Sequence, residues 1–202
     1  MIPVSAPTPD LEAARQAIAS GDPSRAMPAL AGLRGMEAEA AIPLLLLGLE
    51  QTTFVIRSLA CAGLGVKRSE AGWQALETAV RHDEDANVRA EAANALANYG
   101  VERAWPPLRE AFVADDQWLV RCSILSALAE QAEMPAAWLL DLARLASADG
   151  DGSVRAGGAE ILGRLVRDGR EPEAAEARAA LGALQGDADH RVAAVALDGL
   201  QA

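Results

Sequence analysis

Aromatic residues, cysteines and clusters of basic residues are all scarce in this sequence. Only 3% of its 202 residues are aromatic, although 51% are hydrophobic. β-Branched and aromatic residues favour strands, whereas the alanine and leucine that dominate the apolar fraction here favour helices. The composition therefore predicts an all-α protein and argues against an ordinary α/β enzyme.

The two cysteines, Cys61 and Cys122, lie far apart in the sequence and form no paired motif. The two histidines, His82 and His190, are equally isolated. Disulfide frameworks and zinc sites need clustered ligands at short spacings. We therefore predict no metal site and no catalytic residue, because neither cysteine has a histidine nearby in the sequence to activate it.

Positive charge is in the minority, since 18 lysines and arginines oppose 29 aspartates and glutamates and give a net charge of −11. Nucleic acids and anionic membranes are bound by clustered cations, so we expect neither as a partner. Residues 1–9 lack the basic start of a secretory signal, and the apolar run at 40–49 is too short to cross a bilayer. We expect a cytoplasmic protein with a Pro-rich tail at 1–9 and a repeat domain at 10–202.

A repeat of about 32 residues is the strongest feature of the sequence. An arginine follows an aliphatic residue and precedes a leucine by seven positions in four places. These repeat arginines are Arg57, Arg89, Arg121 and Arg155. Arg25 and Arg191 extend the series to six units. A second register remains open in the last unit, in which Val192 aligns with Val88 and Arg191 is displaced.

A second series has the same period and starts an apolar helical stretch each time. Its members are Ile42, Trp73, Trp105 and Trp138. Each unit is therefore predicted to be a hairpin of a helix A, which carries this position, and a helix B, which carries the arginine. The predicted A helices are 10–20, 39–50, 70–82, 102–114, 135–147 and 172–185. The predicted B helices are 23–34, 54–66, 86–99, 117–131, 152–167 and 188–200.

One hairpin of this size cannot bury its apolar face alone, so neighbouring hairpins must stack. The sequence thus predicts an all-α solenoid, a superhelix of about six HEAT-type helical hairpins, with the repeated tryptophans packed between helices. The planar guanidinium of each repeat arginine suits a bidentate pair with a carboxylate in an adjacent turn. The candidate partners are Asp22, Asp85, Asp116, Asp151 and Asp187.

Two short motifs are interpreted as ordinary helix ends. Asp149, Asp151, Ser153 and Glu160 have the spacing of a calcium loop, but Val154 stands where that loop needs glycine. We therefore interpret Asp151 as part of a turn and helix cap. The segment 63–65, Gly-Leu-Gly, is too short for a nucleotide loop and is predicted to end a helix.

The clearest unit is the segment 85–96, with the pattern Asp-x-x-Val-Arg-x-x-Ala-x-x-Ala-Leu. This pattern and its echoes over residues 10–202 resemble the HEAT-like repeats of phycobilisome lyases of the bilin lyase E/F type. That group includes chaperones for phycobiliprotein subunits and proteins of phycobilisome degradation. The resemblance implies another protein as the partner, a phycobiliprotein subunit or its bilin, and a phycobilin as the one conceivable cofactor. HEAT-like hydroxylases carry His-Glu pairs for a di-iron centre, and this sequence has no such pair.

In HEAT-like arrays the B helices line the concave face, so binding residues are expected two, five and nine positions after each repeat arginine. The resulting strip begins apolar and becomes polar and acidic, and Trp118 just before a B helix joins it as an exposed candidate. The predicted binding residues are Leu59, Ala62, Val66, Glu91, Asn94, Asn98, Trp118, Ser123, Ser126, Glu130, Glu160 and Arg164. Such a strip suits a partner that presents an apolar edge beside basic groups, and an ordinary solvated face is the alternative.

Two functions stay open on this basis. The first is a protein-binding adaptor or chaperone without chemistry of its own, acting on phycobiliproteins or the phycobilisome. The second is a bilin lyase or lyase subunit, which would hold a tetrapyrrole while a partner cysteine attacks it. A bilin's propionates would require Arg57, Arg121 or Arg164 to be free. The net charge argues against a third class, the HEAT-like DNA glycosylases.

Overall fold

A computed structural model describes residues 10–201, and within that range the regular structure consists of helices without strands. The helices are α1 Leu11–Ala19, α2 Pro23–Gly32, α3 Ala38–Leu49, α4 Phe54–Lys67, α5 Glu70–His82, α6 Ala86–Ala97, α7 Val101–Ala114, α8 Trp118–Ala129, α9 Ala136–Ser147, α10 Gly152–Asp168, α11 Glu173–Leu184 and α12 His190–Gln201. A 3₁₀ turn at Leu33–Gly35 follows α2. The tail predicted at 1–9 lies outside the described residues.

The helices form six hairpins in which each odd-numbered helix is a predicted A helix and each even-numbered helix a predicted B helix. The chain divides into two compact units after Tyr99, with three hairpins in each. The all-α array of HEAT-type hairpins is confirmed, and the helix ends lie within about two residues of the predicted ones. No helix in residues 10–201 combines the length and the apolar content that crossing a bilayer requires.

Aspartates start several B helices by capping their first turn. The Asp22 side chain accepts a hydrogen bond from the backbone N–H of Ser24, and Asp85 accepts one from Asn87 in the same way. Asp151 accepts from the backbone N–H of Ser153 at 2.7 Å, which confirms that it is a helix cap. These carboxylates satisfy backbone donors that have no partner within the helix.

The last hairpin follows the second of the two registers. Val192 is fully buried, as Val88 is in its own unit. Ala193 therefore occupies the place of the repeat arginine, whereas Arg191 is exposed. Arg25 is likewise exposed, so the arginine series extends from Arg57 to Arg155 and not to all six units.

Trp73 and Trp105 are buried in the helix–helix core, as predicted, and Trp138 is half-buried. Trp105 and Trp138 stack in the second unit with ring centroids 5.2 Å apart and an interplanar angle of 9°. Trp73 in the first unit is 6% exposed and meets Tyr99 edge to face at 5.4 Å. Offset and edge-to-face ring pairs add to the stability that burial alone gives.

Close glycine contacts join the second and third B helices of each unit. A Cβ added to Gly65 of α4 would lie 2.8 Å from the Cα of Ala95 in α6. A Cβ added to Gly163 of α10 would lie 3.1 Å from the Cα of Gly199 in α12. Segment 63–65 lies in the last turn of α4, which ends at Lys67, and its Gly65 serves close packing.

Candidate functional site

The twelve predicted binding residues all lie on B helices or at the residue that caps their C-terminal end. None of them is buried. A binding surface requires accessible residues. Only some of these residues line grooves. Each unit has a groove between its first and its second B helix.

The apolar groove, as we name it, lies in the first unit between α2 and α4 and has a volume of about 410 Å³. Its walls include Leu30 and Leu33 on one side and the predicted residues Leu59, Ala62 and Val66 on the other, with Leu45 of α3 also lining it. Val66 is 54% exposed. Exposed apolar surface of this kind marks binding sites in soluble proteins.

Two cations, Arg34 and Lys67, also line the apolar groove, and no carboxylate does. The Lys67 ammonium donates to the backbone carbonyl oxygen of Arg34 at 2.9 Å and to that of Met36, which fixes it at the end of the 3₁₀ turn. The Arg34 side chain is exposed. The sequence predicted a partner with basic groups, whereas the charged residues that line this groove are both cations.

The polar groove, in the second unit, lies between α8 and α10 and has a volume of about 310 Å³. The predicted residues Ser126 and Glu160 line it together with Cys122, Ser153 and Arg191. Arg191 is held by Asp189, with Nη2 and Oδ2 2.7 Å apart. Arg191 is not among the predicted binding residues, because its position in the sequence placed it in the arginine series.

The two grooves occupy equivalent places in their units. Leu59, Ala62 and Gly63 follow Arg57 by two, five and six residues and line the apolar groove. The residues that follow Arg155 by the same intervals line the polar groove; they are Gly157, Glu160 and Ile161. In both units the groove separates the first and second B helices, whereas glycine brings the second and third into near contact. The position of the groove is thus the same in both units, while its chemistry differs between them.

The remaining predicted binding residues line neither groove. They are Glu91, Asn94, Asn98, Trp118, Ser123, Glu130 and Arg164. Trp118 is 50% exposed at the first residue of α8, as predicted. Arg164 donates to the backbone carbonyl oxygen of Ala129 and lies 3.7 Å from the Asp168 carboxylate. Seven of the twelve predicted binding residues therefore lie outside both grooves.

The repeat arginines join consecutive hairpins within each unit. Arg57 makes a bidentate pair with Asp83, with Nε–Oδ2 and Nη2–Oδ1 distances of 2.8 and 2.9 Å. Arg155 pairs with Asp187 in the same way at 2.8 Å for both bonds. In Arg121, Nη2 donates to Oδ1 of Asp149 at 3.1 Å. The Nη1 group of each of these arginines also donates to one or two backbone carbonyls five or six residues upstream.

An arginine–aspartate pair was thus predicted correctly, but the partner was right only for Asp187. The aspartates two positions earlier, Asp83 and Asp149, take the place of the candidates Asp85 and Asp151. Asp22, Asp85 and Asp151 cap helices instead, and the carboxylate of Asp116 accepts a hydrogen bond from the neighbouring Gln117 side chain.

Neither cysteine has the environment of a nucleophile. Cys61 is fully buried, and burial raises the pKa of its thiol to about 12. Burial, followed by the charges of Asp151 and Asp149, also raises the pKa of Cys122. The thiolate is the reactive form, so both shifts oppose nucleophilic chemistry at neutral pH. Across residues 10–201, no three histidine, cysteine or acidic side chains are grouped so that they could hold a metal ion.

Comparison with known proteins places the sequence among helical repeats. The family of HEAT repeats matches residues 42–129. Human deoxyhypusine hydroxylase in complex with glycerol is similar in structure at 17% identity, over 95% of this chain and 96% of that chain, with a TM-score of 0.50. The complex of CpcE and CpcF of phycocyanin lyase from Nostoc matches at 22% identity, over 96% and 100% of the two chains, with a TM-score of 0.43.

A search of curated proteins finds no significant match. The match to HEAT repeats and the likeness to the hydroxylase concern the fold. Neither histidine of this chain precedes a glutamate, because His82 is followed by Asp83 and His190 by Arg191. Residues 42–129 therefore match HEAT repeats, within a chain of helical hairpins that divides into two compact units.

Proposed function

We propose that this chain is a scaffold that binds another protein through the apolar groove of its first unit. The observation that carries the proposal is the open, apolar lining at Leu59, Ala62 and Val66, in a groove of about 410 Å³. A cluster of accessible apolar side chains favours association, because burying it removes apolar surface from water. A catalytic role has no comparable support among the described residues.

A phycobiliprotein subunit is the first partner to test, with the cytoplasm as the place of action. This choice rests on the resemblance of the pattern at 85–96 to the repeats of phycobilisome lyases. The alternative, a lyase that holds a bilin, needs a free guanidinium for the propionates. Arg57, Arg121 and Arg164 each already bind protein oxygens, so the contacts around them favour the scaffold.

The proposal predicts that a partner's affinity depends on Val66. We would titrate purified phycobiliprotein subunits into the wild-type chain and into Val66→Asp by isothermal calorimetry. Val113→Asp is the matched control, because Val113 is 62% exposed on α7 and lies outside both grooves. We expect Val66→Asp to weaken binding by about tenfold or more and the control to stay within about twofold, because a charge cannot replace buried apolar contacts without cost.

If phycobiliprotein subunits do not bind, the same three proteins serve as baits for affinity capture from a native lysate with mass spectrometry. A partner recovered by the wild type and by Val113→Asp but lost with Val66→Asp supports the scaffold function and replaces the phycobiliprotein. Equal recovery of every captured protein by all three baits contradicts binding through this groove. An absorbance change when free phycobilin is added would favour the lyase instead.

A further inference from the structure

We infer that the apolar groove is occupied by one amphipathic α-helix of a partner protein, with its apolar stripe in the groove and its acidic residues against Arg34 and Lys67. This inference rests on the proposed scaffold function and specifies the partner's chemistry. It concerns the first unit alone, because the polar groove of the second unit carries Glu160 where the apolar groove has Ala62.

The backbone around the groove favours a helix over an extended peptide. Strand addition needs an exposed sheet edge, but α2 and α4 use their backbone N–H and C=O groups within the helices. At the 3₁₀ turn, the backbone carbonyls of Arg34 and Met36 already accept hydrogen bonds from Lys67. A partner helix satisfies its own backbone and needs only side-chain contacts. A polyproline peptide would need an aromatic groove, and no aromatic residue lines this one.

The spacing of the lining residues fits a short helix. Leu59, Ala62 and Val66 follow one another at intervals of three and four along α4, and the nearly buried Leu30 and Leu33 form the opposite wall. Rows of side chains at these intervals form the ridges between which the ridges of another helix pack. The stretch from Leu59 to Val66 rises by about 10 Å, or roughly two turns. The occupant should therefore present apolar residues at positions i, i+3 or i+4, and i+7.

The charge of the groove determines which charged residues the partner helix should carry. The chain carries a net charge of −11, yet the charged residues lining this groove, Arg34 and Lys67, are both cations. At about 0.1 M salt the Debye length is about 10 Å, so the two local cations act on a docked helix while most remote acidic residues are screened. A basic helix would meet repulsion in this groove, whereas an acidic one would find complementary charge.

The test uses two fluorescein-labelled synthetic peptides with the same leucine stripe at i, i+3, i+4 and i+7. Glutamates flank the stripe in one peptide and lysines in the other. Fluorescence anisotropy with the full chain in about 0.1 M salt should show the glutamate peptide binding about tenfold or more tightly than the lysine peptide. Circular dichroism should show that the bound glutamate peptide gains helix.

Two charge-reversal variants of the chain test the role of the cations that line the groove. Arg34→Glu should reduce the preference for the glutamate peptide by about tenfold. Arg25→Glu should leave the preference unchanged, because Arg25 is exposed on α2 but does not line the groove. Equal binding of the two peptides, a preference that survives Arg34→Glu, or binding without gain of helix would overturn the inference.

The results that would refute this inference differ from those that would refute the scaffold function. If the peptides do not bind but a partner is still lost with Val66→Asp, the groove binds protein and the helical, acidic occupant is wrong. If recovery of every partner is independent of Val66, both proposals are wrong.

Discussion

Arg57 illustrates how single residues hold consecutive hairpins together. It is 7% exposed and donates two bonds to Asp83, which lies in the turn before the next B helix. Its Nη1 donates to the backbone carbonyls of Gln51 and Thr52 in the turn of its own hairpin. One guanidinium thus satisfies acceptors in the turns of two successive hairpins, which explains why an arginine recurs at this position.

Removing Arg57 should destabilise the protein strongly. Arg57→Ala removes the donor of two carbonyls and leaves the Asp83 carboxylate without its cation, with the Asp85 N–H still donating to it, so we expect a loss of about 3 kcal/mol in the free energy of unfolding. Arg57→Lys should recover only part of this loss, because an ammonium cannot reproduce the planar fork. The control is Arg109→Ala, which breaks a pair with Asp141 whose side chains are both over 40% exposed and should cost less than about 1 kcal/mol. Urea denaturation measures the free energy of unfolding of all three variants. Equal losses in Arg57→Ala and Arg109→Ala would contradict the role of Arg57 in joining two hairpins.

Asp187 should make the stability depend on pH in the acid range. The hydrogen bonds from Arg155 hold the pKa of this carboxyl below its ordinary value of 3.8. A carboxyl whose pKa is lower in the folded than in the unfolded protein stabilises the fold at pH values above the unfolded pKa. This contribution is lost as the pH falls through the pKa of the folded protein. The urea midpoint of Asp187→Asn should therefore fall less steeply than that of the wild type below pH 3.8. Asp198→Asn, at an exposed site of α12, removes the same charge and should retain the wild-type slope.

At the scale of helices, Gly65 determines how closely α4 approaches α6. Gly65→Ala would place a methyl group 2.8 Å from the Cα of Ala95, and a backbone atom cannot yield as a flexible side chain can. We expect the helices to separate at a cost of about 1 to 3 kcal/mol. Gly32→Ala in α2 is the control, since nothing lies within 4 Å of the added carbon, and it should be neutral or slightly stabilising. Thermal unfolding of both variants checks this, and a stable Gly65→Ala protein would show that close packing is dispensable.

The helices could be predicted from sequence more fully than their contacts. Helix positions follow from local signals, namely the apolar period and the aspartates at helix starts. The partner of Arg57 could not be identified in this way, because Asp83 and Asp85 are both acidic and only the fold decides that the second one caps α6. The groove likewise depends on the distance between helices. Leu59 and Glu91 were predicted as equivalent positions and are both half-buried, but only Leu59 lines an open groove.

At the scale of the whole molecule, each unit repeats one plan with three hairpins, a groove and a glycine contact. The grooves differ because a few positions changed while the arginine–aspartate pairs were retained. Ala62 in the apolar groove corresponds to Glu160 in the polar groove, and Leu59 corresponds to Gly157. A repeat protein can therefore vary its binding surface without altering the contacts that stack its hairpins, since the two sets lie on different residues.

This plan predicts that damage to one unit stays local. In repeat arrays each hairpin contacts only its neighbours, so stability is roughly a sum of hairpin and nearest-neighbour terms. Arg57→Ala should therefore speed amide hydrogen exchange in α4 and α6 by up to about 100-fold, the equivalent of about 3 kcal/mol. Exchange in α10 and α12, where Arg155 and Asp187 keep their pair, should change little. Mass spectrometry of peptic fragments resolves the two regions. Uniform acceleration along the chain would mean that the six hairpins unfold as one cooperative body, whereas a local effect would follow from stacking alone.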